Sequence, residues 1–320
     1  SAPAPAAPAA VFKISPRAAR LANASVIDPT PIRGTGEGGR VMEKDVQAYL
    51  DSKGYASLRV TPAAKELAAK ESIDLLSLKG DGRIGVEEVR RALAERPKPM
   101  SRMRQVIAQR LTSSVTTAPH FFVTVSVDMT DLGALRAELK KKGAAPSFND
   151  FVLRAVALSL QELPEVNSTT AGRTIRWNSR IHLGLAVNIE GGLVVPVIRD
   201  AGDLTPMELH ERAAGLAERA RQGKLLPDEM SGGTFTISNM GMLGVENFTA
   251  IINPGESAIL AVSTILPQPV ARNGAVVVRD MMKITLSADH RILDGAGAAR
   301  FVNALNAKLE DTDAWKNSTS

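Results

Sequence analysis

The chain has 320 residues, 44% of them hydrophobic, no cysteine and a formal charge of +5. That length supports one large core plus smaller modules, and the lack of cysteine excludes disulfides, thiolate metal sites and cysteine nucleophiles. Scattered basic residues with only two Trp and two Tyr argue against nucleic-acid binding, and no apolar run approaches the roughly 18 residues of a membrane span.

Residues 1–10, SAPAPAAPAA, alternate Ala and Pro and read as a semi-rigid spacer. The start lacks the basic region and apolar core of a signal peptide, so secretion is not expected. The chain opens on Ser1 rather than on methionine, which suggests a processed form or fragment, with something once attached ahead of the spacer.

An internal repeat follows. Ser15-Pro16 opens SPRAARLA and Thr61-Pro62 opens TPAAKELA; each pairs a hydroxyl N-cap with Pro at the first helical position. At this offset Leu21 matches Leu67, Ile27-Asp28 matches Ile73-Asp74, and Gly34 and Gly36 match Gly80 and Gly82. The second copy then loses three residues before its closing helix, GVEEVRRAL, lines up with MEKDVQAYL. Each unit reads as helix, turn, Gly-rich loop and helix, over residues 11–51 and 57–95.

Residues 34–39, GTGEGG, match the G-x-G-x-x-G pattern of dinucleotide sites. The prolines of the preceding DPTPIR forbid the central strand such a site needs. The glycines are instead expected to supply positive φ in a tight interhelical loop. An EF-hand-like spacing at Ser77 to Glu88 fails because Lys79 would occupy a ligand position.

Residues 96–101 form a linker, and 102–320 one large domain. MRQVIAQRLTSSV reads as an amphipathic helix, FFVTVSVDM as an alternating strand, DLGALRAELKKKG and SFNDFVLRAVALSLQEL as helices. IHLGLAVNIEGGLVVPVIRD reads as two strands around a turn at Glu190-Gly191-Gly192. LTPMELHERAAGLAERARQGK is a helix capped by Thr205; GTFTISNM, SAILAVSTI and AVVVRDMMKITLSA are strands; AGAARFVNALNAKLED is the last helix. Mixed elements without strict alternation predict an α+β layered domain.

Four histidines carry the candidate chemistry. His210 lies in a charged helix face and reads as solvated, and His182 as a packed or edge residue of a strand. His120 opens a strand after Pro119, where it would line a cleft. His290 stands at a strand-to-helix corner, flanked by Asp289, Arg291 and Asp294. There it suits either a positioned general base or a capping histidine. Ser238 ends a strand before a Gly-containing turn; its hydroxyl suits an oxyanion donor, a nucleophile or a turn cap, and no G-x-S-x-G elbow surrounds it.

HRILDG, which fits H-x-x-x-D-G, together with TFTISNMG, GLVVPVIRDA and NFTAIINPGESAIL, resembles the catalytic domain of dihydrolipoamide acyltransferases, the core components of 2-oxo acid dehydrogenase complexes. The resemblance runs from about Arg102 to Asp311. The two repeats resemble peripheral subunit-binding domains, with the pattern S-P-x-x-x-x-L-A followed by G-T-G-x-x-G-R-V. What this implies is a chloramphenicol-acetyltransferase-like α+β domain working as a homotrimer, preceded by two small all-α modules. The family moves an acyl group from dihydrolipoamide to coenzyme A; the acetyl-transferring, pyruvate-type members are the nearest in pattern.

By the same resemblance His290 is the general base, Ser238 the oxyanion donor from another chain, and Asp294 a holder of local geometry through Arg110. His120, Asn239, Asn253 and Arg199 are further candidates for contact with substrate or coenzyme A, and no metal is implied. Arg17, Arg20 and Arg40 are the basic residues expected to meet dihydrolipoamide dehydrogenase or the decarboxylase; the first module, with its loop intact, is the expected binder. No lipoyl domain is present, so the lipoyl group belongs on another domain or chain. The tail DTDAWKNSTS is polar where many members carry an apolar segment that joins trimers into cages. The implied compartment is the cytoplasm in a bacterium, or the mitochondrial matrix or plastid stroma in a eukaryote, without membrane attachment. A catalytically silent scaffold is the alternative, and the retained His290 and Ser238 favour the enzyme.

Overall fold

The structure is a computed structural model that describes residues 12–78, 82–143 and 146–318. The spacer at 1–10 and the loop position Gly80 therefore lie outside the described residues. Two compact units divide the chain, the first ending at Pro99 and the second beginning at Met100.

In the first unit, α1 (Pro16–Ser25) and α2 (Glu43–Ser52) enclose one small core, and α3 (Pro62–Glu71) and α4 (Val86–Glu95) another. The repeat legible in the sequence recurs in local detail. Ser15 Oγ accepts from Ala18 N at 3.2 Å and Thr61 Oγ1 from Ala64 N at 3.2 Å, capping donors that α1 and α3 would otherwise leave unpaired. Parallel bridges join Ile14 to Val41 and Val60 to Ile84. Each first helix ends in a left-handed residue, Val26 (φ 52°) and Ser72 (φ 54°). That conformation is strained for a β-branched residue. Val26 is fixed there from the other repeat: its side chain enters the second core and its carbonyl accepts from Leu75 N at 3.0 Å.

The GTGEGG loop divides the work among its glycines. Gly38 (φ 62°) and Gly39 (φ 79°) supply the expected positive φ. Gly34 is needed for space instead: a Cβ there would lie 2.4 Å from the backbone of Gly39 and Arg40. Asp45 on α2 ties the loop down, accepting from Thr35 N at 2.9 Å, Thr35 Oγ1 at 2.8 Å and Met42 N at 2.9 Å. Those backbone donors hold its carboxyl below the usual carboxylate range. The loop's polar groups thus serve its own closure.

The second unit begins with α5 (Arg102–Thr117), then β1 (His120–Asp128), α6 (Thr130–Lys141), α7 (Phe148–Glu162) and the short pair β2 (Ser168–Thr170) and β3 (Ile175–Trp177). Next come β4 (Leu183–Leu185), β5 (Val187–Ile189), β6 (Gly192–Val194), β7 (Val197–Ile198) and α8 (Pro206–Arg221). Strands β8 (Phe235–Asn239), β9 (Ala258–Arg272) and β10 (Ala275–Asp289) lead to α9 (Gly295–Glu310) and α10 (Thr312–Ser318). Six strands form one mixed sheet in the order β1-β10-β9-β8-β4-β7, in an α+β arrangement as the element pattern predicts.

Alternation sorts the sheet residues between its faces. Phe235 and Ile237 of β8, Leu260 and Val262 of β9, and Ile284 and Leu286 of β10 join residues of α6–α9 in the main core. Thr236, Ser238, Thr285 and Ser287 alternate with them and so point to the opposite face, where Thr285 Oγ1 donates to Asn247 Oδ1 at 2.9 Å. One face is therefore apolar and helix-covered, the other lined with small polar groups.

Two sequence readings change. The segment expected as two strands breaks into four: β4 pairs with β7 and β8 in the large sheet, while β5 and β6 form a separate hairpin. The chain leaves the large sheet after Leu185 and re-enters it at Val197, directly after Pro196, which has no N–H to give a ladder but accepts through its carbonyl from Leu185 N at 2.8 Å. The tail, read as merely polar, contains an anchor. Trp315 is 4% exposed, meets the Phe151 ring edge-on at 5.2 Å and donates from Nε1 to Lys308 O at 2.8 Å.

Candidate active site

His290 follows the last residue of β10, and Asp294 is the N-cap of α9, accepting from Gly297 N at 2.7 Å. Between them the corner closes on Asp289, whose carbonyl accepts from Ile292 N at 2.9 Å and Leu293 N at 3.0 Å. Asp289 is 2% exposed, and its carboxylate takes the Arg291 guanidinium through Nε at 3.0 Å and Nη2 at 2.6 Å. That paired, charge-assisted contact fixes both residues flanking His290. The start of β1 completes the setting: just ahead of the strand Pro119 O accepts from His290 N at 2.9 Å, and within it the Phe121 ring lies 4.4 Å from the imidazole. The His290 side chain is left exposed.

Ser238 stands on β8, 8% exposed, on the polar face of the sheet. The register measures its separation from His290. Ser238 is level with Ala261 of β9, and Ala261 with Thr285 of β10. His290 lies five residues beyond Thr285, which with two strand spacings puts the two side chains on the order of 15–20 Å apart. One chain does not bring the serine and the histidine together.

The remaining candidates are distributed as follows. His120 lines a cleft of about 250 Å³ with Val115, Phe122 and Ile251. Both its ring nitrogens face backbone groups: Ile252 N donates to Nε2 at 3.1 Å, and Nδ1 lies 2.7 Å from Ala118 O. That requires the Nδ1–H tautomer and leaves no nitrogen for a ligand. Arg110 lies on α5 beside a cleft of about 490 Å³ that Asn253 also lines. The pairing of Arg110 with Asp294 is not formed in the single chain; Asp294 caps α9, and Arg110 acts electrostatically on Glu256. Asn239 donates to Asn149 Oδ1 at 3.2 Å and accepts from Gly241 N at 2.8 Å, a turn role. Arg199 donates from Nη2 to Asp228 O at 2.9 Å, away from His290 in the fold, where it braces the segment before β8. In the first unit Arg17, Arg20 and Arg40 are all exposed.

His182 accepts from Asp200 N at 3.0 Å, and burial pushes its imidazole below its ordinary range, as suits a packed residue. His210 is not simply solvated: its Nδ1 lies 2.8 Å from Asp150 Oδ2, linking α8 to the capping box of α7. Among the described residues no cluster of three or more His, Asp or Glu has the arrangement to hold a metal ion, and no helix is long and apolar enough to cross a membrane.

Glu256 was missed. It is 6% exposed, and burial pushes its carboxyl up to about 7 against the pull of Asn253, Thr236 and Arg110. With Asn253, Ser113, Asp289 and Arg291 it lines a cleft of about 370 Å³ at the His290 end of the sheet. The signal available in the sequence was one carboxylate placed directly ahead of the apolar run SAIL.

The comparisons with known proteins bear on both units. The model of the 2-oxoacid dehydrogenases acyltransferase (catalytic domain) matches residues 92–316, and that of the e3 binding domain matches 12–47. The chain is similar to the dihydrolipoyllysine-residue acetyltransferase component of the mitochondrial pyruvate dehydrogenase complex of Schizosaccharomyces pombe, 38% identical over 310 residues. That match covers 93% of this chain and 60% of the relative, so the chain spans about three fifths of its length. A structure of Azotobacter vinelandii dihydrolipoamide acetyltransferase is 39% identical with a TM-score of 0.65, covering 68% of this chain and 92% of that one. The cubic core of a pyruvate dehydrogenase multienzyme complex gives 40% identity and the same TM-score of 0.65, over 68% of this chain and 92% of the other. The sheet, the His290 corner and these matches agree, and the chain belongs to the 2-oxoacid dehydrogenase acyltransferase family.

Proposed function

We propose that this chain transfers an acyl group, acetyl in the pyruvate-type reading, from dihydrolipoamide to coenzyme A at a site shared between neighbouring subunits of a trimer. The observation that carries the reading is a spacing. The Azotobacter vinelandii structure concerns the role of a serine, a histidine and an asparagine in the catalytic mechanism, with the serine 52 positions before the histidine and the asparagine four after it. Here Ser238 stands 52 positions before His290, and Asp294 four after it. The aspartate is a departure, and it serves as the cap of α9. Because one chain holds Ser238 and His290 far apart, the constellation closes only when a second copy brings its serine to the first copy's histidine, which a heterologous ring contact does.

The chemistry needs no covalent enzyme intermediate. The neutral His290 imidazole accepts the proton of the coenzyme A thiol, and the thiolate sulfur bonds to the carbonyl carbon of the acyl-dihydrolipoamide thioester. The Ser238 hydroxyl donates to the oxyanion as it forms. Collapse breaks the carbon–sulfur bond to dihydrolipoamide, whose sulfur takes the proton back from the imidazolium. Acyl-coenzyme A and dihydrolipoamide leave, and the enzyme returns to its starting protonation.

In this reading the lipoyl group arrives on another domain or chain. The first module, with Arg17, Arg20 and Arg40 exposed on one small unit, docks dihydrolipoamide dehydrogenase or the decarboxylase; the match to the e3 binding domain supports that role. The chain then works in a bacterial cytoplasm or an organelle matrix. Acetyl transfer from acetyl-dihydrolipoamide to coenzyme A, compared between wild type and His290→Ala, tests the proposal. Transfer that collapses in the variant is expected; full activity in the variant, or none in a folded wild-type assembly, would refute it.

A further inference from the structure

Glu256 occupies the junction between the two halves of the proposed site. It lies just ahead of β9, at the end of the sheet that carries His290, where Asp289 N donates to Ser257 O at 2.9 Å. Its Oε1 accepts two hydrogen bonds, from Thr236 Oγ1 at 2.9 Å and from Asn253 Nδ2 at 2.8 Å. Its Oε2 is buried and has no hydrogen-bond partner among the described residues.

The two donors lead in different directions. Thr236 precedes Ser238 by two positions on β8, so both side chains stand on the same face of the sheet. Asn253 follows Ile252, which is clamped from both sides: its carbonyl accepts from Ser114 Oγ at 2.6 Å and its N–H donates to His120 Nε2 at 3.1 Å. His120 in turn is bound to Ala118 O at 2.7 Å, and the next carbonyl, that of Pro119, accepts from His290 N at 2.9 Å. An unbroken run of hydrogen bonds and single residues thus connects the Glu256 carboxyl to the backbone of His290, and a two-residue step connects it to Ser238.

We propose that Glu256 is a positioning residue for acyl transfer: its Oε1 holds the strand that presents Ser238 and, through Asn253 and His120, the segment that sets His290. The proposal rests on the acyl-transfer reading given above. A buried carboxylate is a costly group to place, and an apolar side chain of the same size would fill the space with less penalty. What the carboxylate supplies is one fixed acceptor shared by two donors from different elements. The elevated carboxyl of Glu256 agrees with this, since the acceptor function of Oε1 does not require a full charge. Arg110 of α5 is the charged group acting on it, while Arg291, in the same cleft, is engaged by Asp289. In a shared-site trimer each chain gives Ser238 to one site and His290 to another, so a displaced Glu256 disturbs both. A shift of about 1 Å in such groups costs on the order of 10²-fold in rate.

The test is steady-state acetyl transfer with the full chain and three variants. Glu256→Ala removes the acceptor and is expected to lower kcat about 10- to 100-fold with KM for coenzyme A little changed. Glu256→Gln keeps an Oε1 acceptor and is expected to recover kcat to within about threefold of wild type. Thr236→Val removes only one donor and is expected to fall between them; it also decides the matter should Glu256→Ala not fold. An unchanged kcat in Glu256→Ala or in Thr236→Val, a loss confined to KM, or a Gln variant as poor as the Ala variant would each overturn the proposal. A folded wild-type chain that transfers nothing overturns the acyl-transfer reading and this proposal together, whereas an active wild type with an unaffected Glu256→Ala overturns this proposal alone.

Discussion

Burial of Glu256 makes a specific demand on stability. Its carboxyl is pushed from the ordinary 4.5 to about 7 in the folded chain, so the folded state binds the proton more tightly than the unfolded state does. Stability from this source is full below about pH 4.5 and is lost as pH rises through about 7. The gap between 4.5 and about 7 corresponds to about 3 kcal/mol. Glu256→Gln has no proton to lose and keeps an acceptor for Thr236 and Asn253. Thermal unfolding of wild type and Glu256→Gln, followed by circular dichroism from pH 4.5 to pH 8, isolates the term, because every other ionisation is common to the two proteins. In a unit of this size 1 kcal/mol moves Tm by about 2–4 °C, so the variant should gain on wild type by about 6–12 °C across that range. Two curves that stay parallel would show that the carboxyl is not held in its neutral form by burial, and the reasoning would fail.

Ser238→Ala should lower kcat by about 10²–10³ with the assembly intact, as loss of one oxyanion donor does; a loss of less than a few-fold would remove Ser238 from that role. Gly34→Ala places a Cβ within 2.4 Å of the Arg40 backbone, so it should open the first module's loop and abolish docking of the peripheral enzyme while acetyl transfer by the second unit continues. Titration calorimetry against dihydrolipoamide dehydrogenase and the decarboxylase reads the first effect and the transfer assay the second; retained binding would show that the loop tolerates what its geometry forbids.

Much of the fold was legible because its signals are local. Ser15-Pro16 and Thr61-Pro62 announce helix starts through a cap and a fixed φ, and both helices begin there. The two long strands and the closing helix were legible from their apolar residues, although β9 runs on through Pro267 and Pro269 to Arg272, beyond the expected SAILAVSTI. What alternation did not disclose was partner choice: β4 and β5 are separated by one residue, yet only β4 joins the large sheet. Trp315 was obscured by its polar neighbours, though a single large ring is enough to pin a terminal helix on Phe151. His210 was read from its own helix, while its partner Asp150 comes from α7, sixty residues away in sequence.

The site shows the same division. His290 and Ser238 stood out through motif and position, at a strand-to-helix corner and a strand end. Arg110 was assigned to Asp294 through the family resemblance, and within the single chain Asp294 Oδ1 caps α9. His120 was read as a side chain open to a cleft; its nitrogens are taken up by Ile252 and Ala118, and no spacing in the sequence reveals a ring that bridges two distant backbone groups. Glu256 depends on donors 20 residues before it and three residues before it, a meeting that only the folded sheet creates.

In the acyl-transfer reading one chain's Ser238 completes another chain's His290. Co-assembly of Ser238→Ala with His290→Ala tests that arrangement. Neither variant alone should turn over appreciably. In trimers assembled at random from equal amounts, a site at a subunit boundary draws an intact serine from one neighbour and an intact histidine from the other in about a quarter of cases. Acetyl transfer should therefore recover to about one quarter of wild type on mixing. Activity of the mixed trimers no greater than the average of the two variants would place both residues in sites within single chains and refute a site shared between subunits.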